Sequence, residues 1–169
     1  WLGLNWDEFY KQSERFALYR QHADKLLSEG KAYKEGEAVI LNMPPKEVKI
    51  FDLIRGEIVF DTELLKDQVL MKSDGSPTYS FACVVDDASM EITHVIRGED
   101  HLSNTPKHML LLRAMGFEPP QYGHLALIHG PGGEPLSKRL GDVSVREFRR
   151  KGYLPHGLAN YIALLGWSP

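Results

Sequence analysis

The feature that most limits what this chain can fold into is a strand–helix–strand succession in its second half. Ile92-Thr-His-Val-Ile96 is a short β-branched run suited to a buried parallel strand. Thr105-Pro106 opens a helix carrying Met109, Leu110, Leu112 and Arg113 before Gly116, and Leu125-Ala-Leu-Ile128 is a second apolar run. Proline at the first helical position has a preset φ and lacks only an amide that would be unpaired anyway. Two such runs joined by one helix predict a right-handed crossover on a parallel sheet, and therefore an α/β fold.

Upstream, residues 12–30 predict an amphipathic helix. Phe16, Tyr19, Ala23, Leu26 and Leu27 recur at three-four spacing, Ser13 is placed to cap the start, and Gly30 sits where a helix terminates. From Lys31 to about Lys72 the pattern shortens to the runs 38–41, 50–51, 57–60 and 68–71, broken by Pro44-Pro45 and Gly56. These predict a small antiparallel subdomain with half-exposed strands. Ser73-Asp-Gly-Ser-Pro77 is a turn and a natural boundary. Residues 79–85, leading to Asp86-Asp87, read equally as a helix or a strand. Ser144-Val-Arg-Glu147 has the form of a capping box opening a helix that ends near Gly152. Pro155 starts another, with Leu158, Tyr161, Ile162 and Leu165 on its inner face.

Charge and cysteine content narrow the function. A net charge of −3 in 169 residues argues against a general nucleic-acid coat, so any RNA contact must use a local patch. The single cysteine, Cys83, excludes an intramolecular disulfide and a cysteine-rich zinc site, and a reducing cytoplasm is the simplest compartment. No apolar run is long enough to span a bilayer, and no secretory leader opens the chain. The first and last residues, Trp1 and Pro169, give both edges the look of a cut from a longer chain.

Several constellations carry chemistry. Gly130-Pro-Gly-Gly-Glu-Pro-Leu-Ser-Lys-Arg139 follows an apolar run, where α/β sheets bind ligands; its glycines and its Lys138 and Arg139 suit phosphate, while the plainer alternative is a basic surface loop. Arg97, in Val95-Ile-Arg-Gly-Glu-Asp100, offers a planar fork to a carboxylate, or else pairs internally with Glu99, Asp100 or Asp86. Asp86-Asp87 and Glu99-Asp100 suggest a divalent ion or, more ordinarily, caps of helices and turns. His124 and His129 either meet a nucleotide or are satisfied polar packing. Cys83 has no neighbouring base in sequence, and no nucleophile elbow or triad is visible.

Three segments together resemble glutamyl-tRNA synthetases of the bacterial type, members of the class I aminoacyl-tRNA synthetases. They are Ser73-Asp-Gly-Ser-Pro-Thr-Tyr-Ser-Phe-Ala-Cys-Val-Val-Asp-Asp87, then Ile92-Thr-His-Val-Ile-Arg-Gly-Glu-Asp-His-Leu-Ser-Asn-Thr-Pro106, and Leu136-Ser-Lys-Arg139 followed by Val143-Ser-Val145 and Gly152-Tyr-Leu-Pro155. The resemblance implies the second half of a Rossmann-like class I synthetase catalytic fold with a short inserted α+β subdomain. On it, residues 1–34 end the first half of the nucleotide-binding fold and 35–72 form a shortened insertion meeting the tRNA acceptor end. Residues 73–130 complete the second half, and 131–169 carry the signature loop and following helices.

The same resemblance implies that glutamate is activated by ATP, with Mg2+, and passed to the 3′ end of a glutamate-accepting tRNA. Arg97 and Tyr79 would hold the glutamate, with Ser80, Phe81, Ala82 and Cys83 lining its pocket. Asp100, Ile128, Leu136, Ser137, Lys138 and Arg139 would lie along the ATP, Lys138 stabilising its phosphates. The implied parent protein is a monomeric, cytoplasmic enzyme with no membrane partner and no zinc site. Two departures stand out: a His-Ile-Gly-His-like segment is absent, and Pro135 replaces the first lysine of the signature loop. The first departure implies that the isolated chain is inactive, and a noncatalytic tRNA-binding remnant is the alternative reading.

Overall fold

The computed structural model describes residues 1–43, 48–61, 66–130, 132–133 and 144–166. They fall into two compact units, one of Tyr10–His124 and one of Trp1–Phe9 with Leu125–Pro169.

In the first unit, a short 3₁₀ turn at Gln12–Glu14 leads into α1, Phe16–Ser28. The helix therefore begins after Ser13, which makes no capping bond; the Glu14 and Arg15 amides donate to the Lys11 and Gln12 carbonyls in the tighter turn instead. Gly30 follows at φ +69, a left-handed conformation that glycine adopts without a Cβ clash. Tyr19, Ala23 and Leu26 are the buried stripe of α1. It packs on strands β1 (Ala32–Glu35), β2 (Ala38–Leu41) and β5 (Gln68–Met71), which form a three-stranded antiparallel sheet in the order β1-β2-β5. β1 was not foreseen, because Ala-Tyr-Lys-Glu has a single buried residue, Ala32.

The remaining strands of the predicted subdomain do not join that sheet. β3 (Val48–Asp52) and β4 (Gly56–Phe60) form an antiparallel hairpin, and β3 pairs in parallel with β7 (Gln121–Leu125) at Asp52 and Tyr122. With β6 (His94–Gly98) this gives a second sheet in the order β4-β3-β7-β6. The expected single subdomain is thus two sheets, because Val48, Ile50 and Asp52 point alternately into the interior and need cover that β2 and β5 do not provide.

α2, Tyr79–Ser89, settles the ambiguous segment as a helix. Thr78 caps it, its hydroxyl accepting from the Phe81 amide, and Phe81, Ala82, Val84 and Val85 enter the core. A 3₁₀ turn at Glu99–Asn104 links β6 to α3, Thr105–Met115, which ends at Gly116 with φ +85. The strand–helix–strand succession stands, with two corrections. The second strand is Gln121–Leu125, and Ala126–Ile128 lies beyond it. Its start is fixed by Pro119-Pro120, which cannot donate to a ladder. β6 is an edge strand with Ile96 exposed, whereas a strand buried on both faces was expected.

In the second unit, Ser144 caps α4 (Val145–Arg150) by accepting from the Glu147 amide, as its capping-box sequence predicts. Phe148 meets Tyr153 edge-to-face at 5.2 Å. α5 (Pro155–Gly166) buries Leu158, but Tyr161, Ile162 and Leu165 of its predicted inner face are exposed.

Candidate functional site

The first unit gathers a polar group around Arg97 at the end of β6. Tyr79, Cys83 and Asp87 lie four residues apart on α2 and so share one helical face, and the Arg97 charge acts on all three. Tyr79 also stands beside His101 and His108, at 6.1 and 6.5 Å between ring centroids. Within the predicted pocket segment 79–83, Phe81 and Ala82 are buried in the core, which leaves Tyr79, Ser80 and Cys83 with accessible surface.

Among the described residues Arg97 makes no ion pair, although its charge reaches the Asp87 carboxyl. Glu99 pairs with Arg55, Asp86 with Arg15 and Asp100 with His101. Instead Arg97 Nη2 donates to the Thr105 hydroxyl (2.7 Å) and the His101 carbonyl (3.3 Å), and its Nε donates to His124 Nε2 at 3.3 Å. Its guanidinium lies over the Tyr122 ring, 5.5 Å from the centroid.

Behind this arginine is a buried network that the sequence did not announce. His124 Nδ1 donates to Asp52 Oδ2 at 2.5 Å, both side chains being fully buried. Asp52 Oδ1 accepts from the amides of Ile54, Arg55 and His124. Burial alone would raise the Asp52 carboxyl; the hydrogen bonds from His124 and the three amides outweigh it and bring the pKa down to about 2. The readable signal was Asp52-Leu-Ile-Arg-Gly56, an aspartate closing its own turn, with Gly56 at φ +75.

Other groups here are buried without a hydrogen-bond partner among the described residues: both ring nitrogens of His108 and the Tyr122 hydroxyl. Burial first, then the charges of Arg97, His101 and Lys107, lower His108 to about 4, so its ring is neutral at pH 7. Burial raises Cys83 to about 11, with the Asp87 carboxylate adding to it. A protonated thiol whose sulfur lies 3.8 Å from Asp87 Oδ2 is no nucleophile. Asp86 is a structural tie, accepting from Gln12 and Tyr19 and pairing with Arg15, which fastens α1 to α2.

Asp100 is exposed on the 3₁₀ turn after β6, and Ile128 is exposed in the other unit. Leu136, Ser137, Lys138 and Arg139 lie outside the described residues, as does Pro135. Among the described residues no three His, Cys, Asp or Glu side chains are placed to hold a metal ion. Nor is any described helix long and apolar enough to cross a membrane.

Comparison with known proteins bears on this site. The sequence profile of the class I tRNA synthetases (E and Q), catalytic domain, matches residues 1–39 and 34–169. The chain is 44% identical to the glutamate–tRNA ligase of Aquifex aeolicus, with all of this chain and 45% of that protein covered. It is 51% identical to glutamate–tRNA ligase 1 of Rubrobacter xylanophilus, with 99% of this chain and 40% of the relative covered. The chain therefore spans about half the length of the curated relatives it matches. Among solved structures, a glutamate tRNA ligase from Elizabethkingia meningosepticum in complex with its amino acid superposes with a TM-score of 0.86. That structure is 30% identical, and the match covers all of this chain and 49% of that one.

Proposed function

The chain belongs to the class I tRNA synthetases for glutamate and glutamine, sharing their α/β catalytic domain, and from that premise we propose that it supplies the glutamate-binding side of a glutamate–tRNA ligase. The observation that carries this reading is Arg97. Both Nη1 N–H donors of its half-buried guanidinium have no partner among the described residues. A free cationic edge attracts the carboxylate of glutamate and offers nothing comparable to the amide of glutamine. Tyr79 and Cys83 lie within reach of its charge, and the Tyr122 hydroxyl and His108 nitrogens, unpartnered among the described residues, add polar capacity.

On this reading the α-carboxylate of glutamate attacks the ATP α-phosphorus and pyrophosphate leaves. The terminal tRNA hydroxyl then attacks the glutamyl carbonyl and AMP leaves. No protein nucleophile takes part, which suits a protonated Cys83. The residues act by holding reactants in line and by meeting developing phosphate charge, the second being the role proposed for Lys138, with Ser137, Arg139, Leu136, Ile128 and Asp100 along the nucleotide. Magnesium is proposed only as a companion of the nucleotide phosphates, since the described residues hold no metal cluster. Residues 1–34, 35–72, 73–130 and 131–169 keep their proposed parts in the nucleotide fold, acceptor-end contact, amino-acid side and signature loop, in a monomeric cytoplasmic protein.

Calorimetric titration with nonhydrolysable glutamyl- and glutaminyl-adenylate analogues tests the reading. Preference for the glutamyl analogue is expected, and Arg97→Ala should weaken it about tenfold or more while moving ATP affinity by less than about twofold. Equal losses for both ligands would remove Arg97 from the amino-acid site. Binding of acceptor-stem RNA with no binding of either analogue would favour a noncatalytic remnant.

A further inference from the structure

Arg97 can discriminate a carboxylate only if its fork points in one direction. A free arginine side chain has many rotamers, and fixing it is what makes its planar donors useful. Two of its three nitrogens are consumed by the protein in a specific manner. Nη2 spends its donors on Thr105 and the His101 carbonyl, and Nε spends its one donor on His124 Nε2. Both Nη1 donors, without a partner among the described residues, remain for a ligand.

The Nε bond requires a lone pair on His124 Nε2, and that lone pair is set from the far side of the ring. Ionised Asp52 can only accept, so the ring proton sits on Nδ1, facing Oδ2 at 2.5 Å. The Thr105 hydroxyl lies 2.9 Å from the same Nε2 and 3.5 Å from the His101 carbonyl, so its one proton has two acceptors within reach. Asp52 is itself held in orientation, because three backbone amides of the β3–β4 turn and β7 donate to its other oxygen. The chain of dependence runs from the turn amides to Asp52, to the His124 proton, and to the direction of Arg97.

We propose that Asp52 and His124 are positioning residues: a buried carboxylate–imidazole brace that aims Arg97 at the substrate carboxylate and so sets selectivity for glutamate over glutamine. The inference rests on the glutamate reading of the Arg97 site. It gives the β3–β4 hairpin, inside the segment expected to serve the tRNA acceptor end, a part in amino-acid recognition.

Asp52→Asn is the informative change because it keeps the shape. The three amides retain the side-chain oxygen, so the new NH2 faces His124 Nδ1. The ring proton is then driven to Nε2, where it opposes Arg97 Nε–H.

The test uses the 169-residue chain with L-glutamate and L-glutamine as probes. It has two readouts: solvent exchange of the Arg97 Nε–H by 15N NMR, and the ratio of the two dissociation constants by calorimetry. In Asp52→Asn, exchange should quicken and the glutamate preference should fall about tenfold, consistent with losing a charge-assisted bond. Thr105→Val, which removes the Nη2 acceptor and the hydroxyl beside His124 Nε2, should shift the preference in the same direction by about threefold. It also serves if Asp52→Asn does not fold. Unchanged exchange, or equal weakening of both amino acids, overturns the brace and leaves Asp52 a merely structural residue. Quickened exchange in a chain that shows no glutamate preference even as wild type, and none altered by Arg97→Ala, sinks the glutamate reading while upholding the brace.

Discussion

The two sheets of the Tyr10–His124 unit are held by different physics. Beneath α1, the β1-β2-β5 sheet is held by apolar contact: Val39, Leu41, Leu70 and Met71 are buried with Tyr19, Ala23 and Leu26. Such contact is non-directional and scales with area removed from water. The β4-β3-β7-β6 sheet buries Val48 and Ile50 too, but its inner end carries Asp52 and His124, with Thr105 of α3 beside them. Hydrogen bonds there fix angles as well as distances. One sheet supplies stability, and the other converts part of it into the aim of one arginine.

The largest expected effect that sharpens this contrast is in the apolar sheet. Leu70 is fully buried, so Leu70→Ala should cost about 2–5 kcal/mol of unfolding free energy, from lost transfer energy and the cavity left behind. Urea unfolding should show the same loss at pH 5 and pH 8, with Arg97 Nε–H exchange in the native state unaltered. A loss under about 1 kcal/mol would mean that the α1 contact is not a main support.

The same contrast explains what the sequence could reveal. Apolar periodicity is written residue by residue, so α1, β2, β5 and the strand–helix–strand succession around α3 were legible, as was the Ser144 cap. The α2 segment was ambiguous because Phe81, Ala82, Val84 and Val85 form a run that suits either a helix or a strand. The parallel pairing of β3 with β7 joins Asp52 to Tyr122, 70 positions apart, and no local pattern encodes it. The reading of Arg97 as a carboxylate partner, which the proposed function rests on, came from its motif. Its supports were not, since Asp52 reads locally as a turn residue, Thr105 as a helix start and His124 as polar packing. Burial turned three ordinary residues into a network.

A second prediction concerns His108, buried on α3 with no partner for either nitrogen among the described residues. Its folded pKa is depressed to about 4 from 6.5, so the unfolded chain binds the proton more readily. Its contribution is therefore fully present above about pH 6.5 and is lost as pH falls toward 4, a span worth about 3 kcal/mol. His108→Leu should flatten stability across that window, measured by urea unfolding at pH 7 and pH 4.5. An unchanged slope would place the neutral-to-acid loss elsewhere in the molecule.

The smallest expected effect isolates the polar end of the second sheet. The Asp52 carboxyl sits at about 2 when folded against an ordinary 3.8, so here the unfolded chain again binds the proton first. The stabilisation is complete above about pH 4 and disappears as pH falls through 2, a loss of about 2 kcal/mol. The His108 and Asp52 windows do not overlap, so one acid titration of the wild-type chain should show two successive losses. Asp52→Asn should abolish only the lower one. Its stability at pH 7 should already be lower, because the His124 ring and the turn amides lose their charged acceptor. If the lower loss survived in Asp52→Asn, the acid-labile carboxyl would be another group, and the four-stranded sheet would be held chiefly by Val48 and Ile50, much as its neighbour is held by Leu41 and Leu70.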